Sequence, residues 1–462
     1  KTVAVNTLAA YYDRTIDARR LFAGRKAEET PGFEDHLNRY DVVRVNVKQV
    51  MADAGTRDVD EALAYLGRRI ARELSRAYPE AGILVEDGLF VAMSDASLFS
   101  GSRFVVIVDE WDAPFRVDRT NEAMHERYLD WLSGLLKDRE YVALGYVTGI
   151  LPPQKYGEHS ALNMFSEVSM TNAAPYEALM GFTDAEVADL CAQFDMDLDL
   201  MRSWYDGYLV GKTGIYNPHA VTESVTRGNY WNYWTSTERF SELERYITID
   251  RDGLQEGVVR MLAGEAVPVD VTAFNNDLSV FRSADDVLTC LVHLGYLTFD
   301  ESRQEVRIPN REIGQQFATT LRQDRWPGVG AALAQSKELL RATYARDSEK
   351  VAELVGAAHV DAASVLTFND ENSLACALSL AYYAARRTYV VAREMPAGKG
   401  FADVVFIPFV PDMPAMVVEL KRNGSTEGSL SQIREKQYFD SLSHYTGDLL
   451  FVGINYDEVK KS

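Results

Sequence analysis

Two groups of residues in this chain have types and spacings suited to phosphate chemistry. The first ends a strand-like segment. Phe104–Val108 (FVVIV) is a continuous apolar run, the pattern of a strand buried on both faces of a parallel sheet, and Asp109-Glu110 follows directly. In open parallel sheets ligands sit beyond the carboxyl ends of the strands. There one carboxylate can hold Mg2+, directly or through water, and the other can polarise an attacking water. The neighbouring strand-like runs bring Asn46 and Thr148 to the same rim. An acidic loop after a strand gives the same residues without chemistry. The second group is Asp403 with Glu419-Leu420-Lys421. Side chains alternate along a strand, so Glu419 and Lys421 share a face. With Asp403 on a paired strand, two carboxylates and an ammonium converge. Such a set can bind one or two Mg2+, position a water and neutralise charge growing on a scissile phosphate. A surface salt bridge at a strand end is the ordinary alternative.

Other chemistries lack their residues. No glycine-rich GxxxxGK[ST] loop lies within the chain. Gly211-Lys212-Thr213 imitates its end, but the first glycine's position holds Asp206, and the preceding strand is replaced by WYDGYLV. The 7 histidines show no HxH or HExxH spacing, and the 3 cysteines (Cys191, Cys290, Cys376) form no CxxC pair. No serine or cysteine reads as a nucleophile with its base. With 48 basic and 69 acidic residues the net charge is −21, which argues against a general coat of phosphate contacts, though not against an acidic metal site. Two aromatic clusters, Trp204-Tyr205-Asp206-Gly207-Tyr208 and Asn232-Tyr233-Trp234, suit base stacking or packing, and packing is the stronger reading.

The elements that must position these groups follow from the patterning. A chain of 462 residues holds about two to four domains, and 47% hydrophobic residues suffice for full cores. Val42–Val47 and Tyr141–Thr148 read as strands, Glu61–Ala77 and Tyr128–Leu136 as helices, so the first part alternates as α/β folds do. From about 211 to 347 the chain is mainly helical. Asp285–Gly295 reads as a helix stopped by glycine, and two short strands follow it, a helix–hairpin order like a winged helix. The last part forms a compact α/β unit: a helix around Asn372–Arg387, strands at Thr388–Glu394, Asp403–Ile407, Ala415–Leu420 and Leu449–Ile454, and a helix around Leu430–Leu442. No apolar run reaches a membrane span, and the first residues are too short and polar for a signal peptide, so a reducing, cytoplasmic setting is expected.

Taken together, KTVAVNTLAAYYD, FVVIVDEWDAPF, VTGILPPQKYGEHSALN, GFTDAEV, WYDGY, NYWTSTE, DDVLTCLVHLGYL, GFADVVFIP and VVELKRNGSTEGSLSQIREKQY resemble bacterial AAA-ATPase-like (P-loop) proteins with a C-terminal PD-(D/E)XK nuclease-like domain. The resemblance implies an α/β P-loop parallel-sheet module over 1–210, a helical, winged-helix-like region over 211–347 and a restriction-endonuclease-like α/β domain over 348–462. Lys1 and Thr2 fall on the last two positions of the Walker A loop, whose strand and glycine turn would lie upstream. Asp109 and Glu110 match Walker B, and Thr148 matches the polar sensor of the next strand. Lys1, Thr2, Asp109 and Thr148 would then bind ATP, Thr2 and Asp109 would hold its Mg2+, and Glu110 would be catalytic. Asp112 matches an acidic position to which no role is assigned. Asp403, Glu419 and Lys421 match the D…ExK core, Glu371 matches an additional acidic metal ligand, and Gln432 with Tyr438 match a pattern on the following helix. Phe401 departs from the basic residue common two before the aspartate, a place Lys399 would have to fill. The implied function is ATP hydrolysis coupled to a Mg2+-dependent nuclease acting on DNA or RNA, in a protein able to form homo-oligomers and without membrane partners. The alternative is a non-catalytic nucleotide-dependent switch whose nuclease-like domain only binds nucleic acid or protein.

Overall fold

The computed structural model describes residues 2–150, 163–234, 240–249, 252–272, 274, 281–322, 326–363, 371–397, 400–410, 412–422 and 447–457. The fold divides into two units, Lys1–Ser169 with Phe274–Arg282, and Met170–Ala273 with Ser283–Ser462.

The first unit is built on three parallel strands, β1 (Asp41–Asn46), β2 (Phe104–Asp109) and β3 (Val142–Thr148), in the order β1-β2-β3. The central strand is buried along its whole length, as its unbroken apolar run requires. Its alternate side chains serve two layers. Phe104, Val106 and Val108 enter a core formed with the helices Val59–Ala77, Leu89–Ser100 and Glu122–Leu136. Val105 and Ile107 meet Val5, Leu8 and Ala9 of the helix Thr2–Tyr12 on the opposite face. The helix expected from Glu61 starts at Val59, because Asp58 caps it by accepting from the N–H groups of Asp60 and Glu61.

Among the described residues the second unit holds three sheets. β4 (Tyr208–Val210) and β5 (Thr213–Ile215) form a hairpin whose two-residue turn is Gly211-Lys212. The GKT resembling a phosphate loop is therefore a tight β-turn, with Gly211 at φ +58°. β6 (Val267–Pro268), β7 (Thr298–Asp300) and β8 (Glu305–Arg307) make an antiparallel sheet in the order β6-β8-β7, and the helix Ala284–His293 precedes the β7–β8 hairpin. The aromatic clusters are interior: Trp204, Tyr205 and Tyr233 share one core, and the Tyr208 hydroxyl donates to the Gly295 carbonyl at 2.8 Å. The fourth sheet runs β12-β11-β10-β9, from β9 (Tyr389–Ala397), β10 (Gly400–Pro408), β11 (Ala415–Arg422) and β12 (Leu449–Tyr456). β9, β10 and β11 are antiparallel, and β12 is parallel to β11. Val404, Phe406, Met416, Val418 and Leu420 pack on Leu374, Ala375 and Leu378 of the helix Glu371–Ala381. Among the described residues no helix is long and apolar enough to cross a membrane.

Candidate functional sites

The strand register assembles the first site. Asn46 on β1 and Thr148 on β3 stand opposite Asp109, one on each side. Side-chain alternation places Asp109 on the face of Val105 and Ile107, the face covered by the helix Thr2–Tyr12. That helix begins at the carboxylate: Thr2 Oγ1 donates to Asp109 Oδ2 at 3.4 Å. Asp109 is buried, and its Oδ1 accepts from the Glu110 N–H at 3.0 Å. A helix N-terminus favours anions through its unpaired N–H groups and dipole. A hydroxyl beside a buried carboxylate is a donor set suited to Mg2+. Burial and the Asp109 carboxylate raise the pKa of the neighbouring Tyr146 phenol. Asn46 is committed to structure, since its side chain caps the helix Val47–Ala54 by accepting from the Gln49 N–H at 3.0 Å.

Glu110 leaves the strand in a left-handed conformation, φ +53°. Its carboxylate pairs with Arg116, whose Nε also lies 3.4 Å from Asp112 Oδ2. Asp112 thus gains a role: buried itself, it anchors the arginine that holds Glu110. Arg116 is a site residue the sequence reading missed; its i,i+4 spacing from Asp112 was the available signal. Gly149 was missed as well. A Cβ there would lie 2.4 Å from the Trp111 ring and 2.6 Å from Asp112 Oδ1, so the turn after Thr148 closes only without a side chain. Trp111 is fixed in turn, its N–H donating to the Thr148 carbonyl and its own carbonyl accepting from the Tyr128 hydroxyl at 2.7 Å. Lys1 and residues 151–162 lie outside the described residues.

In the second unit β10 and β11 pair Val404 with Val418 and Val405 with Val417. One step further, this register sets Asp403 opposite Glu419, on the face away from Val404 and Val418. Lys421 shares that face, with Nζ 3.8 Å from Oε1 of the buried Glu419. Asp403 Oδ2 accepts from the Leu420 N–H at 2.6 Å. The strand starts at Gly400, so Asp403 lies inside it rather than opening it. Asp403, Glu419 and Lys421 therefore come together. The helix beginning at Glu371 packs on the opposite, apolar face. The Glu371 side chain lies outside the described residues, as do Lys399, Gln432, Tyr438 and the helix expected around Leu430–Leu442. Among the described residues no three acidic, histidine or cysteine side chains gather as a metal cluster.

Residues 1–157 match a family described as predicted AAA-ATPase. That stretch contains Thr2, Asp109, Glu110 and Thr148, and the family implies ATP binding and, in general, the use of ATP with Mg2+. The chain is also similar to an "Uncharacterized protein in vnfD 5'region" of Azotobacter chroococcum mcd 1, 26% identical over 261 residues, which are 54% of this chain and 48% of that relative. The chain thus matches about half the length of this curated relative.

Proposed function

We propose that the Asp109 rim binds and hydrolyses ATP and that this controls a metal-dependent phosphodiesterase at Asp403, Glu419 and Lys421, acting on DNA or RNA. The observation carrying the first half is the meeting of Thr2 and Asp109 at a helix N-terminus. Thr2 and Asp109 would hold Mg2+, which when bound neutralises phosphate charge. Lys1 would reach the phosphates, and Thr148 would orient the attacked end. Glu110 would take a proton from water after its carboxylate turns from Arg116. In the second half, Glu419 and Asp403 would hold the metal, and Lys421 would orient the water or deprotonate it. Residues 348–462 are read as this nuclease-like module.

A second reading has its own support. Arg116 holds Glu110 away from base duty, and the Leu420 N–H occupies one oxygen of Asp403. Both suit a non-hydrolysing nucleotide switch. Steady-state hydrolysis of MgATP by the full chain separates the two. Glu110→Gln should keep nucleotide binding and lose turnover by roughly 10²–10⁴-fold, the range for a lost general base. Turnover unchanged by this substitution, or absent from the unmodified protein, overturns the hydrolytic reading.

A further inference from the structure

A cavity of about 420 Å3 opens within the second unit, and its charge runs against that of the whole chain. Among the described residues Arg311, Arg322, Lys337, Arg386 and Arg387 all line it, and no carboxylate does. The chain as a whole has more acids than bases, so an unrelieved cluster of five cations calls for a physical reason. Like charges gathered around one cavity repel one another, and a counter-charge, which the described lining does not supply, would relieve them. Among the described residues none of the five takes part in an ion pair. Their existing hydrogen bonds go to carbonyls: Arg386 Nη2 to Ala263 at 3.0 Å and Arg322 Nη2 to Leu333 at 3.2 Å.

The two inner arginines are incompletely satisfied. The Nε–H groups of Arg311 and Arg386 are buried without a hydrogen-bond partner. Buried donors of this kind are costly, and native structures rarely leave them so. The Arg311 guanidinium is held in place, lying 4.1 Å from the centre of the Trp204 ring. Burial, and then the Arg387 charge, push the Arg311 pKa down to about 10; burial lowers that of Arg386 as well. A bound anion would reverse both. Met261, Leu262, Ile308 and Val391 make one part of the wall apolar, and Ser203, Asn310, Gln315 and Thr319 add neutral polar groups. Ligand pockets for small molecules have this size and make-up, with a few fixed polar groups on an apolar surface.

We propose that this cavity is a binding site for a phosphorylated small molecule of nucleotide size. The phosphate groups are held by Arg311 and Arg386 inside and by Arg322, Arg387 and Lys337 at the mouth, and the carbon body lies on the apolar wall. The proposal is independent of the Asp109 rim and requires no Mg2+. Guanidinium forks suit phosphate oxygens because they donate two parallel hydrogen bonds.

Calorimetric titration of the full chain with inorganic pyrophosphate, in buffer containing EDTA, tests it. One pyrophosphate should bind per chain. Arg311→Gln with Arg386→Gln should weaken binding by at least roughly tenfold, as for the loss of charge-assisted hydrogen bonds. Since these side chains are partly interior, a second variant, Arg387→Glu with Lys337→Glu, alters only exposed positions and should weaken binding by a similar factor with an unchanged melting curve. Asp109→Asn should leave the pyrophosphate affinity as it is, which separates this site from the nucleotide rim. A labelled single-stranded oligonucleotide forms the other arm. No pyrophosphate binding, binding that the Arg387/Lys337 variant leaves unaltered, or oligonucleotide binding that this variant abolishes but excess pyrophosphate fails to displace would each overturn the proposal.

Discussion

The two acidic sites reach similar ingredients by different architectures. The Asp109 rim draws Thr2, Asp109 and Thr148 from segments far apart in the chain, and parallel pairing brings them level at one end of the sheet. The Asp403 site comes from neighbouring antiparallel strands, where a single register sets Asp403 against Glu419 and period-two alternation adds Lys421. In the rim, the carboxylate is placed by the helix above it, and Glu110 is held by an arginine. In the hairpin, the Leu420 N–H and a lysine do both jobs locally. A parallel-sheet rim therefore depends on distant crossovers, whereas a hairpin site depends on its own two strands.

The largest effect that would break this comparison is chemical. Asp403→Asn keeps an oxygen to accept from the Leu420 N–H while removing the charge. If the hairpin is a hydrolytic site, cleavage of single- or double-stranded DNA or RNA with Mg2+ or Mn2+ should fall by roughly 10²–10⁴-fold, with circular dichroism unchanged. Equal cleavage by the variant and the unmodified chain would move the chemistry elsewhere.

A smaller effect contrasts a buried acid that pairs with no cation among the described residues. Glu312 Oε1 accepts from the N–H groups of Tyr233 and Trp234 at 2.7 and 2.9 Å, yet burial raises its pKa from 4.5 to about 7. Its folded-state pKa lies above the unfolded one, so the folded chain binds the extra proton between these values. Stability should fall as pH rises from about 4.5 to about 7 and level off above, a change on the order of 2–4 kcal/mol. Glu312→Gln should flatten that slope in denaturant titrations across this range. A slope that persists would assign it to another group.

The smallest effects concern the backbone that frames each site. Gly149→Ala presses a methyl group into Trp111 and should cost about 1–3 kcal/mol in denaturant unfolding. Gly356, in the helix Ser348–Ala363, has open space around its Cβ position, so Gly356→Ala should instead stabilise by up to about 1 kcal/mol. Equal effects at the two positions would show that Trp111 yields and that the turn after Thr148 is not constrained.

The sequence made the strands of both sites legible where burial is complete. FVVIV reads as a central strand because every position of β2 is buried, and the alternation of VVEL with its lysine predicts the shared face of Glu419 and Lys421. It failed where structure depends on distant partners. The sequence reading opens this strand at Asp403, but pairing of Gly400 with Ala397 on β9 carries it back to Gly400. β6 is two residues long and carries no periodic signal. Arg116 and Gly149 acquire their roles only once β2 and β3 lie side by side. The five cations of the second unit's cavity are scattered from Arg311 to Arg387 in an acidic chain, so composition hides them.

The account rests most directly on Asp109, the carboxylate that β2 delivers to Thr2. Its test is the equilibrium affinity of the full chain for MgATP, measured by calorimetry before and after Asp109→Asn, a substitution that keeps size and hydrogen-bonding capacity but removes the charge. The account predicts binding at least roughly tenfold weaker in the variant, the loss of one charge-assisted metal contact. Equal affinities would contradict it.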